Sequence, residues 1–187
     1  MTGHCYGLSY VMNRDLVLLS VALVLALVAA VIDVRHRRIP NALTFSGIVC
    51  GAVLRGLLLG WKGLGSALAG CLLAGGVFFL FYALRAMGAG DVKLAAAIGS
   101  LVGPADAAVM LLTTALCGGV MAIVYAMCRR RIRATLANLG VVLRFHAWAG
   151  LQAHPELNLD NPAALRMPYG LAIAAGTFYV FLAAWWR

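Results

Sequence analysis

Two aspartates stand out in a chain of 187 residues that holds only six acids. Asp33 closes an apolar run over residues 16–32. Asp91 lies in "MGAGDVKL", residues 87–94, behind two glycines and ahead of another apolar stretch. Two carboxylates within hydrogen-bonding reach do not both ionise readily, so such a pair holds one proton between them. The ionised member can take a proton from water while the other polarises a peptide carbonyl and protonates the departing nitrogen. That chemistry is amide hydrolysis, and it asks for neither a metal nor a covalent nucleophile. Gly88 and Gly90 suit it, because glycine permits unusual backbone angles and the close approach of an extended chain. Taken singly, each acid has a plainer use: Asp91 as the N-cap of the helix that follows, Asp33 as an interfacial acid neutralised by Arg35, Arg37 or Arg38. What sets the pair apart is a shared position, and that depends on the elements that carry it.

Those elements are membrane helices. The chain is 64% apolar and 11% charged, with a mean hydropathy of +0.94, and its apolar runs approach the roughly 20 residues that a spanning helix needs. The fold class expected is all-α, a polytopic membrane bundle of about six spans forming one domain over residues 1–187. The spans read as residues 16–32, 42–60, 64–84, a fourth starting at Asp91, 106–128, and 169–186, with a turn at Trp61, Lys62 and Gly63. The first run lacks a strong basic segment before it and a small-residue cleavage pattern after it, so it reads as an uncleaved anchor. The fourth is the short one, with about a dozen residues between Asp91 and the Gly103–Pro104 break. If all six cross, one side receives Arg35, Arg37, Arg38, Arg85, Lys93, Arg129, Arg130, Arg131, Arg133, Arg144 and Arg166. The other receives only Arg14, Lys62 and Arg187, with Arg55 inside the second span. The positive-inside rule places the first side in the cytoplasm.

Two spans separate Asp33 from Asp91, so both acids reach that same face even if the fourth segment fails to cross. Asp15 and Asp106 fall on the opposite side, and Glu156 and Asp160 lie in a polar loop before the last helix. The net charge of +9 belongs to loop arginines that set topology and meet anionic lipid, so nucleic acid is not an expected partner. Cys5, Cys50, Cys71, Cys117 and Cys128 are scattered without a CxxC pair and read as small apolar residues. His146 and His154 stand alone and make no metal site. Neither metal nor cofactor is expected.

The stretch "GAGDVKLAAAIG", residues 88–99, resembles the GxGD signature of the type IV prepilin peptidases, membrane aspartyl proteases that trim pilin precursors. "DVRHRRIPN", residues 33–41, resembles that family's first catalytic aspartate with its basic turn and Ile-Pro-Asn segment. "RMPYGLAIAAG", residues 166–176, is similar to the Pro-aromatic-Gly start of its last helix. These matches occur in the family's order along nearly the whole chain. The resemblance implies Asp33 and Asp91 as the catalytic pair, Gly88 and Gly90 as the supporting loop, and Lys93 as a motif neighbour without an assigned role. It also implies Pro168, Tyr169 and Gly170 as packing or substrate-channel residues, although a Pro at a helix start and an interfacial Tyr are ordinary in any membrane helix. Asn41 matches too, and could equally cap the second helix. The implied partner is a type IV prepilin with a Gly before the cut and a Glu a few residues beyond it. The implied location is the bacterial inner membrane, with the active site facing the cytoplasm.

Long members of that family carry an N-terminal domain with paired CxxC motifs linked to N-methylation. Residues 1–15 hold only Cys5, so no such zinc or methyltransferase domain is expected, and the chain resembles the short prepilin peptidases of tight-adherence (Flp) pilus systems. Archaeal preflagellin peptidases share the acids and remain an alternative. The signal peptide peptidase and presenilin group shares GxGD, but its Tyr-Asp and Pro-Ala-Leu motifs are missing, since Ile32 precedes Asp33. A different class is a small transporter or proton relay built on the two intramembrane acids, against which stands the lack of a visible inverted repeat. Last, residues 129–150 open on a basic cluster and space Ile132, Leu136, Leu139 and Leu143 by three and four. This predicts an amphipathic helix on the inner leaflet, or charge that serves topology alone.

Overall fold

The computed structural model describes residues 3–130, 132–150, 152 and 167–186. Arg131, His154, Glu156, Asp160, Arg166 and Arg187 lie outside them, as do the side chains of Cys5, Arg14, Leu143 and His146. Among the described residues there is no strand. Six helices follow one another: α1 (Gly3–His36), α2 (Asn41–Ala83), α3 (Ala89–Val102), α4 (Pro104–Cys128), α5 (Ile132–Ala149) and α6 (Gly170–Trp185). The expected helical membrane bundle is what forms. Asp15–His36 of α1, then α2 and α4, are long and apolar enough to cross a bilayer. The bundle's burial pattern suits lipid: Val24, Leu57, Leu68, Leu112 and Leu116 are more than 60% exposed, whereas Ala22, Ala26, Ala29, Ala74, Ala95 and Ala97 are wholly or almost wholly buried. Small residues let helices approach closely where lipid tails are as apolar as any side chain.

The long α2 is a hairpin. Its backbone leaves helical geometry at Gly60, with φ 66° and ψ −152°. No atom lies near enough to Gly60 to forbid a side chain, so glycine is required there for its angle alone. The reversal therefore comes one residue before the expected turn at Trp61–Gly63, and those three residues already belong to the returning arm. The arms run in opposite directions along α3. Gly47 and Gly51 of the first face Ala97 and Ser100, while Gly70 and Gly75 of the second face Gly99 and Ala96. Thus α3 is gripped from two sides, and glycines bring backbone against backbone, as at Gly70 and Gly99.

Directions follow from these contacts. The first arm leaves Asn41, near Lys93, and reaches Arg55 beside Leu101. The second returns to Phe78, whose ring meets Tyr169. Helix α3 runs away from the Asp91 end, the chain reverses at Gly103 (φ 81°), and α4 comes back, placing Gly118 against Tyr169. Helix α4 then continues for a further stretch to Cys128, about 15 Å at 1.5 Å per residue. This bears on the shortness of α3: it starts below the end of α4, at the depth of the aspartates. Helix α6 runs back from Tyr169, packing between α1 and α4.

Three helices finish at the aspartate end, and beyond each an arginine adopts the left-handed conformation: Arg37 (φ 51°), Arg85 (φ 54°) and Arg130 (φ 53°). Glycine is the usual residue there. An arginine is strained by roughly 1–2 kcal/mol, yet its charge complements the negative helix end. The basic segment forms a helix as expected, ended by Gly150 (φ 67°). Among the described residues α5 packs only on α4 and leaves Leu136, Leu139, Val141 and Trp148 exposed.

Candidate active site

Asp33 lies in the last turn of α1, where its own helix presents carbonyls and the negative end of its dipole. A carboxylate buried there needs outside help. It receives it from the start of α6: the backbone N–H of Gly170 donates to Asp33 Oδ2 at 3.0 Å, and the Asp33 side chain is 8% exposed. Glycine permits this approach. A Cβ at position 170 would lie 3.0 Å from Asp33 Oδ2 and 3.4 Å from the Ala30 backbone.

Asp91 is the third residue of α3, behind an N-cap at Gly88. The N-cap role expected of the acid therefore belongs to the glycine, and the Asp91 carboxylate instead accepts a hydrogen bond from the Gly88 backbone N–H. The Asp91 amide also donates to the Gly88 carbonyl at 3.2 Å. A Cβ at 88 would come within 3.3 Å of Asp91 Oδ2. Each aspartate thus meets a helix N-terminus, Asp91 that of its own α3 and Asp33 that of α6, where unpaired N–H groups and the positive dipole end favour negative charge. The two carboxylates are close enough for the charge of one to act on the other.

Of the other residues read from sequence, Tyr169 joins the pair. It is half-buried, its ring meets Phe78 edge-on at 6.0 Å, its hydroxyl lies against Gly118, and the charge of Asp91 reaches it. Pro168 stands in the link before α6, accepting from the Leu171 N–H at 3.3 Å. Gly90 packs on Ile39 in the α1–α2 connection, where a Cβ would sit 3.3 Å from the isoleucine Cβ. Lys93 is exposed and donates through Nζ to Asn41 Oδ1 at 2.8 Å. Asn41 makes no cap for α2, whose N-cap is Pro40; its side chain ties that helix to α3. Phe78 and Gly118 were not singled out from the sequence, because an aromatic and a glycine in apolar spans look like any other packing residues.

Among the described residues no three His, Cys, Asp or Glu side chains gather in a group able to hold a metal. What the arrangement offers is two interacting carboxylates, each with a backbone donor, recessed below the end of α4 and flanked by a phenol. A family model described as the type IV leader peptidase family matches residues 20–123, a segment that includes both aspartates. Comparisons with curated proteins and with solved structures gave no match.

Proposed function

Because the chain belongs to the type IV leader peptidase family, we propose that it is a membrane aspartic endopeptidase that removes the basic leader from Flp-type prepilins at the cytoplasmic face of the bacterial inner membrane. The observation that carries the reading is the placement of Asp33 and Asp91, from helices α1 and α3, at two helix N-termini and within range of each other's charge. One carboxylate, ionised, takes a proton from water, and the water oxygen attacks the scissile carbonyl carbon. The other donates its proton to the carbonyl oxygen, and the tetrahedral diol collapses as the amide nitrogen is protonated and leaves. Backbone donors at Gly170 and Gly88 hold the carboxylates, leaving lone pairs for water and substrate.

The cytoplasmic side is supported by arginines at the aspartate end, at positions 35, 37, 38, 85, 129 and 130. Helix α5, with Arg133 and Arg144 beside exposed Leu136 and Leu139, suits the headgroups of an anionic inner leaflet. A pilin precursor whose apolar helix crosses the membrane behind a basic leader presents its leader-to-helix junction at the depth of the aspartates. A glycine before the cut suits the site, since it leaves helix readily and passes between two carboxylates. Co-expression with a Flp-type prepilin tests the reading. Leader removal is expected for the wild type, at a junction found by mass spectrometry on the cytoplasmic side of the pilin helix. Its loss is expected in Asp33→Asn, in Asp91→Asn and on enlarging the pilin glycine. Near wild-type cleavage by either properly inserted aspartate variant would refute the two-carboxylate mechanism.

A further inference from the structure

Arg55 is the one basic residue within the first arm of the α2 hairpin, and it is 8% exposed. A guanidinium at such depth is costly unless its donors are engaged. Its Nε donates to the Leu101 carbonyl at 2.8 Å, its Nη2 to the Val102 carbonyl, and its Nη1 to Ser66 Oγ at 2.7 Å on the returning arm. The two carbonyls are the last of α3, which lack partners within their own helix and form its negative end. Asp15 and Asp106, from α1 and α4, act on the guanidinium as counter-charges. The chain leaves α3 through Gly103, where a Cβ would lie 2.6 Å from Nη2. One side chain thus ties together both arms of the hairpin and the end of α3.

The opposite end of α3 carries Asp91. The helix has 14 residues, about 21 Å at 1.5 Å per residue. With backbone-close contacts to both arms it moves as a rod, so an axial slip at Leu101–Val102 displaces Asp91 by the same amount. The geometry points to Arg55 as a positioning residue for Asp91: the guanidinium clamp sets the axial register of α3, and with it the placement of the Asp91 carboxylate opposite Asp33. The catalytic side of this inference rests on the aspartic mechanism proposed above, whereas the register itself does not.

Two readouts test it on the full-length protein in membranes. In a chain with its five native cysteines replaced by alanine, disulfide crosslinking between Asp33→Cys and Asp91→Cys reports whether the two positions face each other. Adding Arg55→Met is expected to slow that crosslinking several-fold in inserted protein, and Arg55→Lys, which keeps the charge but not the planar fork, to fall between. In the active background, Arg55→Met is expected to lower kcat by about 10- to 100-fold with KM within about twofold, and Arg55→Lys to recover part of the loss. Unchanged crosslinking, or a kcat loss that follows only the amount of folded protein and is equal for Met and Lys, would overturn the proposal. If Arg55→Met does not insert, Ser66→Ala decides: a smaller fall in kcat at unchanged KM is expected, and wild-type kcat would overturn it. Slower crosslinking together with full cleavage by Asp91→Asn would leave the clamp standing and remove the aspartic mechanism.

Discussion

The two ends of the bundle solve the same problem, reversing a chain in lipid, with opposite residues. At the far end, Gly60 and Gly103 take the positive-φ conformations, and Arg55 beside them has its nitrogens hydrogen-bonded to Leu101, Val102 and Ser66 and opposite charges acting on it from Asp15 and Asp106. At the aspartate end, arginines take the left-handed conformation and two like charges, Asp33 and Asp91, are held near each other. One end is relaxed and satisfied; the other keeps strained backbone and mutually repelling acids. On the mechanism proposed here, the difference separates where rigidity is needed from where reactivity would lie. A dyad can be kept in an unfavourable arrangement only if the helices that carry it are fixed elsewhere, and α3 is fixed at its far end.

The sharpest test of that contrast substitutes an acid at the aspartate end. Asp91→Asn is expected to lower cleavage by at least about 100-fold while thermal stability in detergent holds or rises, since a like-charge contact disappears. A clear loss of stability would make Asp91 a structural acid. The wild-type rate should be bell-shaped in pH, falling in acid as the base gains its proton and in alkali as the acid loses its own. A flat profile across both limbs would count against a shared proton.

Gly99→Val attacks the support instead. Its side chain would collide with the Gly70 backbone, and overpacking of a close helix contact costs about 1–3 kcal/mol. Lower thermal stability and less inserted protein are expected, with activity lost in step. Retained stability would mean that α3 is not gripped as described. Gly170→Ala is gentler. Its methyl would press on Asp33 Oδ2 at 3.0 Å, weakening a bond worth about 1 kcal/mol, so kcat should fall about fivefold with little change in folding.

The smallest effects separate the turns. Gly60→Ala places a Cβ in open space but at φ 66° and ψ −152°, a region essentially confined to glycine, and should destabilise by at least about 1 kcal/mol. Arg130→Gly relieves a left-handed arginine (φ 53°) and should stabilise by about 1 kcal/mol. Equal signs in urea or thermal unfolding would show that the two ends do not differ in the way their residues suggest.

Much of this was legible in the chain before any coordinates. Apolar runs gave the spans, and the break at Gly103–Pro104 gave the limits of α3. Asp33 and Asp91 could be placed on one face by counting spans, because a helix that crosses lipid has no choice of direction. The short α3 looked anomalous until its start was seen to lie below the end of α4. Arg55 carried a usable signal, a lone arginine in an apolar run, but its partners are two backbone carbonyls and a serine on another arm, and sequence spacing points to none of them. Only the plainer capping readings of Asn41 and Asp91 fail, and for a related reason. Capping is a local pattern, whereas Asn41 bonds to Lys93 far along the chain, and Gly88 takes the N-cap place expected of Asp91.

The sequence by itself determined that this protein is a membrane bundle, which end of it is basic, and which two acids share that end. Those properties follow from hydropathy, helix length and the order of spans, all of which are one-dimensional. Only the tertiary structure decided how α6 lends a backbone N–H to Asp33, how far α3 is recessed, and what Arg55 holds. These depend on glycine-sized gaps between helices distant in sequence, where a single Cβ would separate the backbones, and no local pattern records which gap faces which.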